Sequence, residues 1–343
     1  MYSVSSPGSP ELTATLPAKG KQAGEHRLRI LLIAEEAAGV QTLRMLAGSA
    51  HEVVAVMTRG LGVGAIGATV AGVASRLGYR LWPVQRSREP GFADVIRQER
   101  VDLLLNVHAL SILPPEVVAA PLIGSFNLHP GPLPRYAGLN VPSWAIYHGE
   151  RTHGVTVHWM DQGIDTGPIA FAAELPIEDD DTGLTLSSKC VRAGLPLLHD
   201  LLHAASKGAV PQLAQPLGPR RYYGEEVPHQ GRLIWSESAA RIVNFVRACD
   251  YAPFASPWGV PRAYLNGREV VVLKTARTAE RTDAEPGTVG RRVGSEMLVA
   301  ARDEWVTVRR VQIGSSTFPA ADALREGDRF VLPVGVEGSP AAR

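Results

Sequence analysis

Apolar residues recur along this chain in two rhythms. In the first third, short unbroken apolar runs alternate with stretches whose apolar residues return every three to four positions. The runs suit strands buried on both faces and the stretches suit helices covering them, so the alternation predicts a parallel sheet with crossover helices. Residues 28–33, 52–57, 80–84 and 102–107 read as strands, and 39–47, 65–77 and 91–99 as helices. Val155 and Val157 then alternate with polar neighbours in a strand over 154–160. A strand at 169–175 and a long helix at 182–205 follow, and Pro196 should kink that helix. The rhythm changes again near the end. After a helix at 238–249 and an aromatic-rich turn, short strands at 263–265, 270–274, 287–293, 297–301 and 306–311 are separated by turn signals, which suggests a small β-barrel. The expected fold class is α/β, with a doubly wound, mostly parallel sheet followed by a smaller β-rich, barrel-like domain.

A length of 343 residues accommodates two such domains, each with its own core. The expected limits are a disordered Ser/Pro/Gly/Lys-rich tail at 1–26, a catalytic domain at 27–206, a Gly/Pro/Arg-rich linker at 207–232 and the barrel-like domain at 233–335. No apolar run approaches the roughly 18 residues of a membrane span, and the opening lacks a signal peptide's apolar centre, so a cytoplasmic protein with no membrane partner is expected. Cys190 and Cys249 have no Cys or His at metal-ligand spacing and read as buried thiols; no metal is expected. The acidic run at 178–181 opens a helix, where carboxylates cap and complement the dipole rather than build a cation site.

Candidate chemistry is concentrated in two segments. In 125–140, Asn127 and His129 lie two apart at a strand's end and so share a face, placing an amide beside an imidazole. In 153–168, a strand leads into a tight D-x-G-x-D-x-G loop that holds Asp165 at its exit. Taken singly, Asn127 reads as a turn residue, His129 as a satisfied core histidine, and Asp165 as an Asx turn or calcium loop. Their joint placement favours a site that stabilises an oxyanion and handles a proton.

The wording N-x-H-x-G-P-L-P-x-Y-x-G-L-N, from Asn127 to Asn140, with H-G-V-T-V-H-x-M-D-x-G-I-D-T-G-P-I, from His153 to Ile169, resembles the N10-formyltetrahydrofolate-dependent formyltransferase family. The resemblance is strongest over 100–205. It implies transfer of a formyl group from N10-formyltetrahydrofolate to an amine through a tetrahedral intermediate. Asn127, His129 and Asp165 would be catalytic, with Asn127 donating to the oxyanion, His129 donating or relaying a proton, and Asp165 orienting His129. It further implies folate contacts from Leu110, Ile112, Leu113, Asp161, Gly163 and Ile164, and acceptor contacts from His158, Tyr136 and Asn140. His158 reads equally as a structural residue. Leu110, Ile112 and Leu113 would otherwise be taken for core.

Three competing readings remain. Gly62 to Gly67 spells G-x-G-x-x-G, as in an NAD(P)-dependent oxidoreductase, but it follows the second strand, and Glu35 and Glu36 occupy the first turn, where a pyrophosphate would need a helix N-terminus free of carboxylates. Methionyl-tRNA formyltransferase would need a surface for phosphates. Residues 60–72 hold no Lys or Arg, residues 225–335 hold 15 Lys+Arg against 14 Asp+Glu, and the net charge is only +1. A small-molecule amine on an amino sugar, an amino acid or a siderophore-like intermediate is therefore the expected acceptor, with tRNA the alternative. A scaffold that has lost catalysis would have no need of all three polar residues.

Overall fold

The computed structural model describes residues 26–60 and 68–332. The tail, apart from His26, the G-x-G-x-x-G motif and the expected start of the second helix lie outside these residues. The first domain contains β1 (Arg29–Ala34), α1 (Glu36–Ala47), β2 (Glu52–Thr58), α2 (Val70–Arg76), β3 (Leu81–Pro83), α3 (Phe92–Gln98), β4 (Leu103–Val107), α4 (Pro115–Val118) and β5 (Gly124–His129). These are followed by β6 (Ala137–Gly138), α5 (Val141–His148), β7 (Thr152–Trp159), β8 (Ile169–Pro176) and α6 (Gly183–Ser206).

The seven-stranded sheet runs β3-β2-β1-β4-β5-β7-β8. Strands β1 to β5 pair in parallel, whereas β7 is antiparallel to both β5 and β8. β1 and β4 are buried on both faces, which is why they read as continuous apolar runs. α1 starts three residues before the expected position because Gly39 is an interior residue rather than a helix start. A Cβ there would lie 2.8 Å from Ala34 Cβ and 2.9 Å from Val70 Cγ2, so glycine lets the helix sit close on the sheet. α6 runs on through Pro196 without a break. Its N-cap is Thr182 in a reciprocal capping box with Thr185, while Asp181 accepts from Thr185 Oγ1 and the Lys189 ammonium.

Within residues 207–232 the stretch from Leu213 to Tyr223 is bound along the first domain, and Arg232 bridges Arg262 of the second. Leu213 and Ile169 exchange backbone hydrogen bonds at 2.8 and 2.9 Å, and β9 (Tyr222–Tyr223) pairs with β6. Composition hid this, because a Gly/Pro/Arg-rich stretch carries no periodicity. Beyond it come α7 (Ala239–Ala248), β10 (Arg262–Leu265), β11 (Arg268–Arg281), β12 (Val289–Val293), β13 (Glu296–Ala300), β14 (Glu304–Ile313), β15 (Ser316–Pro319) and α8 (Ala320–Ala323). The antiparallel order is β10-β11-β14-β13-β12, with β15 on β14. Arg329 bridges Thr288 beside β12 and Phe330 bridges Leu265 of β10, so one segment joins the two edges and gives the sheet its barrel-like closure. α5 and α7 bring the halves together through Trp144, Tyr147, Phe245 and Trp258. Among the described residues, no helix is long and apolar enough to cross a membrane.

Candidate active site

Pairing of β5 with β7 sets Asn127 opposite His158 and His129 opposite Thr156. The loop after β7 returns Asp165 to the same point, and four polar side chains meet there. Asn127 Nδ2 lies 3.2 Å from His158 Nε2 and 3.3 Å from Asp165 Oδ1. His158 Nε2 is 3.4 Å from Asp165 Oδ1, and His129 Nδ1 is 3.5 Å from Asp165 Oδ2. His129, His158 and Asp165 are all buried.

Hydrogen bonds outside the cluster fix the proton positions. His158 Nδ1 is 2.7 Å from the Trp159 carbonyl, which can only accept, so the proton sits on Nδ1 and Nε2 accepts from Asn127. Asn127 thus commits one N–H to His158 and the other, at a longer distance, to Asp165. His129 Nε2 is 2.6 Å from the Tyr136 carbonyl and donates to it, leaving Nδ1 facing the carboxylate. A neutral ring has one proton for these two acceptors, and an imidazolium would satisfy both. Burial pushes the His129 pKa down, while Asp165 and the Tyr136 carbonyl push back, so the ring is neutral at rest with a counter-ion already in place.

Asp165 is held firmly. Its Oδ2 accepts the Gly138 N–H at 2.8 Å, and its backbone is in the left-handed region at φ 56°, a strained conformation that Asp tolerates better than most residues. Burial would raise its pKa, but the charge that His129 takes up when it is protonated and the Gly138 and Asn127 N–H groups favour the carboxylate, and the carboxyl lies well below the usual carboxylate range. A Cβ at Gly138, where φ is +94°, would lie 2.1 Å from the Tyr223 carbonyl, so only glycine lets this N–H approach.

The other expected contact residues lie in different settings. Leu110 and Ile112, which would have been core by type, are 64% and 68% exposed at the end of β4, while Leu113 is buried. Asp161 Oδ1 accepts the Gly163 N–H at 3.0 Å and the Thr166 hydroxyl at 2.7 Å, which shapes the loop carrying the half-exposed Ile164. Asn140 is half-buried at the N-cap of α5, with φ 54° and no capping bond from its side chain. Tyr136, expected at the acceptor, is buried: it stacks on Tyr223, and its hydroxyl donates to Glu150 Oε1 at 2.9 Å. Its carbonyl, rather than its ring, touches His129. Sequence reasoning missed Gln215, whose Nε2 donates to the Asp165 and Gly167 carbonyls, and Arg220, whose Nη2 donates to the Ile164 carbonyl.

Fold and site together define a group-transfer enzyme with an amide, an imidazole and a carboxylate gathered at strand ends. Residues 28–201 match the family model described as formyl transferase, and residues 227–327 match the formyl transferase C-terminal domain. The chain belongs to the formyltransferase family. Similar proteins include a methionyl-tRNA formyltransferase of Acetivibrio thermocellus, 30% identical with 84% of this chain and 93% of the relative covered. Another is that of Methylobacterium sp. (strain 4-46), 32% identical with 87% and 96% covered. Among solved structures, the N-formyltransferase from Helicobacter canadensis in complex with folinic acid and dTDP-3-aminofucose superposes with a TM-score of 0.65 at 17% identity, covering 82% of this chain and 98% of that one. The sugar 3N-formyl transferase WlaRD gives 0.66 at 17% identity, covering 82% and 97%.

Proposed function

We propose that this formyltransferase moves the formyl group of N10-formyltetrahydrofolate to the amine of a small acceptor, an amino sugar or amino-acid-derived intermediate. The meeting of Asn127, His129, His158 and Asp165 at one buried point carries the reading. Formyltetrahydrofolate supplies an electrophilic formyl carbon. Leu110 and Ile112 are apolar and exposed in the turn after β4, the strand that pairs with β5, which fits a flat heterocycle, and Ile164 in the Asp161 loop offers a further apolar contact.

In the transfer, the amine nitrogen bonds to the formyl carbon, the bond from that carbon to the folate nitrogen breaks, and a proton passes from amine to leaving nitrogen. Asn127 donates to the formyl oxygen as it gains charge, trading its longer bond to Asp165 and keeping the bond to His158 that orients it. His129 takes up the proton at Nδ1, where the Asp165 carboxylate and the Tyr136 carbonyl stabilise the imidazolium, and returns it to the leaving nitrogen. Asp165 remains ionised throughout.

The small acceptor is supported by how the barrel's arginines are paired. Arg277 bonds Glu304 at 2.6 Å, Arg291 bonds Glu280 at 2.8 Å, Arg309 lies 3.1 Å from Glu296, and Arg329 pairs with Glu285. Each of these carboxylates offsets a guanidinium locally and so reduces the uncompensated charge that several phosphates require. Methionyl-tRNA is the second reading, favoured by the near full-length match to methionyl-tRNA formyltransferases. The mechanism is tested by turnover of Asn127→Ala, His129→Ala and Asp165→Ala with N10-formyltetrahydrofolate and a panel of amines. Each should fall by about 10² or more with circular dichroism unchanged; wild-type turnover in any two removes the mechanism.

A further inference from the structure

The segment joining the two domains runs along the site, and its contacts converge on Asp165. Gln215 Nε2 donates to the Asp165 carbonyl at 3.1 Å and to the Gly167 carbonyl at 2.6 Å. Arg220 Nη2 donates to the Ile164 carbonyl at 2.9 Å. Two side chains therefore hold three carbonyls spanning the residue whose backbone is strained. The same segment also grips the other side of the carboxylate: the Ala137 N–H donates to Arg221 O at 2.9 Å and the Leu139 N–H to Tyr223 O at 2.8 Å, bracketing the Gly138 N–H that binds Asp165 Oδ2. The Trp159 indole N–H to Pro211 O, at 2.8 Å, anchors the segment's start.

We propose that Gln215 and Arg220 are positioning residues that keep Asp165 in its left-handed conformation with its carboxylate against His129 and Asn127. A left-handed Asp backbone is strained and persists only where surrounding bonds over-determine it. The carbonyls that Gln215 and Arg220 bind are those that would reorient if the loop relaxed. The inference rests on the catalytic role given to Asp165 above, and it extends the site from the first domain into the connecting segment.

Turnover with N10-formyltetrahydrofolate and the best amine of the panel tests it, with Gln215→Ala, Gln215→Glu, Asp165→Asn and the double variant Gln215→Ala/Asp165→Asn measured together. Gln215→Ala should lower kcat about tenfold to a hundredfold, the scale expected of misplacement by about 1 Å, with KM for the folate nearly unchanged. Gln215→Glu puts a carboxylate against two carbonyls. Relative to wild type it should be weakest near pH 8 and should recover as pH falls and the new side chain regains a proton to donate. In the Asp165→Asn background, Gln215→Ala should add little, because what it positions is already gone. Arg220→Lys, which keeps a donor, should retain more activity than Arg220→Ala at equal thermal stability. An inactive Asp165→Asn beside a wild-type-like Gln215→Ala, or full additivity in the double variant, overturns the proposal. A wild-type-like Asp165→Asn instead overturns the function on which it rests.

Discussion

His153 should make the protein acid-labile in a way that a single substitution removes. The ring is buried behind the candidate site; its Nε2 donates to the Pro130 carbonyl at 2.8 Å, and its Nδ1 has no partner. Burial pushes its pKa down to about 4 from an ordinary 6.5, against the pull of the Pro130 carbonyl. The unfolded chain therefore binds a proton first as pH falls, so the stabilising contribution is complete above about pH 6.5 and is lost progressively toward pH 4. A shift of about 2.5 units at about 1.36 kcal/mol per unit gives about 3 kcal/mol across that window. His129, His148 and His229 are shifted in the same direction by burial, so the wild-type slope is a sum, and only comparison with His153→Phe isolates this residue. Phenylalanine keeps the edge-to-face contact with Tyr136, seen at 5.6 Å between ring centroids, and leaves the Pro130 carbonyl without its donor, a pH-independent cost of about 1–3 kcal/mol. Urea unfolding at steps from pH 7.5 to 4 should show the variant less stable at neutral pH and the gap closing by about 3 kcal/mol at acid pH. Parallel curves would refute the assignment of a buried neutral His153.

Further outcomes follow from the same geometry. Gly138→Ala should abolish turnover and lower the melting temperature, because its Cβ would meet the Tyr223 carbonyl at 2.1 Å and displace the N–H from Asp165; intact activity would show that this bond is dispensable. Leu110→Asp and Ile112→Asp should raise KM for the folate by about tenfold or more while leaving stability within about 0.5 kcal/mol, because both side chains are exposed. Unchanged KM would place the heterocycle elsewhere. Calorimetry should detect 5-formyltetrahydrofolate and no NAD(P), since the Glu35 side chain, accepting from the Arg59 N–H and the Thr58 hydroxyl, is fixed at the first turn where a pyrophosphate would sit; the reverse pattern would sink the folate assignment.

The parts of this molecule that were legible in the sequence are those whose physics is local. β1 and β4 announce themselves as apolar runs because both faces are buried, and Asn127, His129 and Asp165 stand out as polar residues where strands end. The position of His158 was readable from strand parity, but its partner depends on the antiparallel register of β7 against β5, which no local signal encodes. The burial of Tyr136 carries no local signal, because an aromatic flanked by Arg135 and Ala137 looks the same whether its ring is free or stacked on Tyr223. For Leu110 and Ile112 residue type alone predicts burial, and only the turn after β4 exposes them. Gln215 and Arg220 gave no signal, because they sit in irregular chain whose contacts are long-range.

The most direct test is a competition at physiological salt in which the protein receives N10-formyltetrahydrofolate together with dTDP-3-aminofucose, hydroxyornithine, other small amines and charged initiator tRNA. Tetrahydrofolate release and formylated products are followed by absorbance and mass spectrometry. Formyl transfer to a small amine, abolished in Asp165→Ala and insensitive to added salt, is the predicted result. Salt-sensitive formylation of the tRNA alone would contradict the small-acceptor account, and absence of tetrahydrofolate release with every acceptor would contradict the proposed reaction.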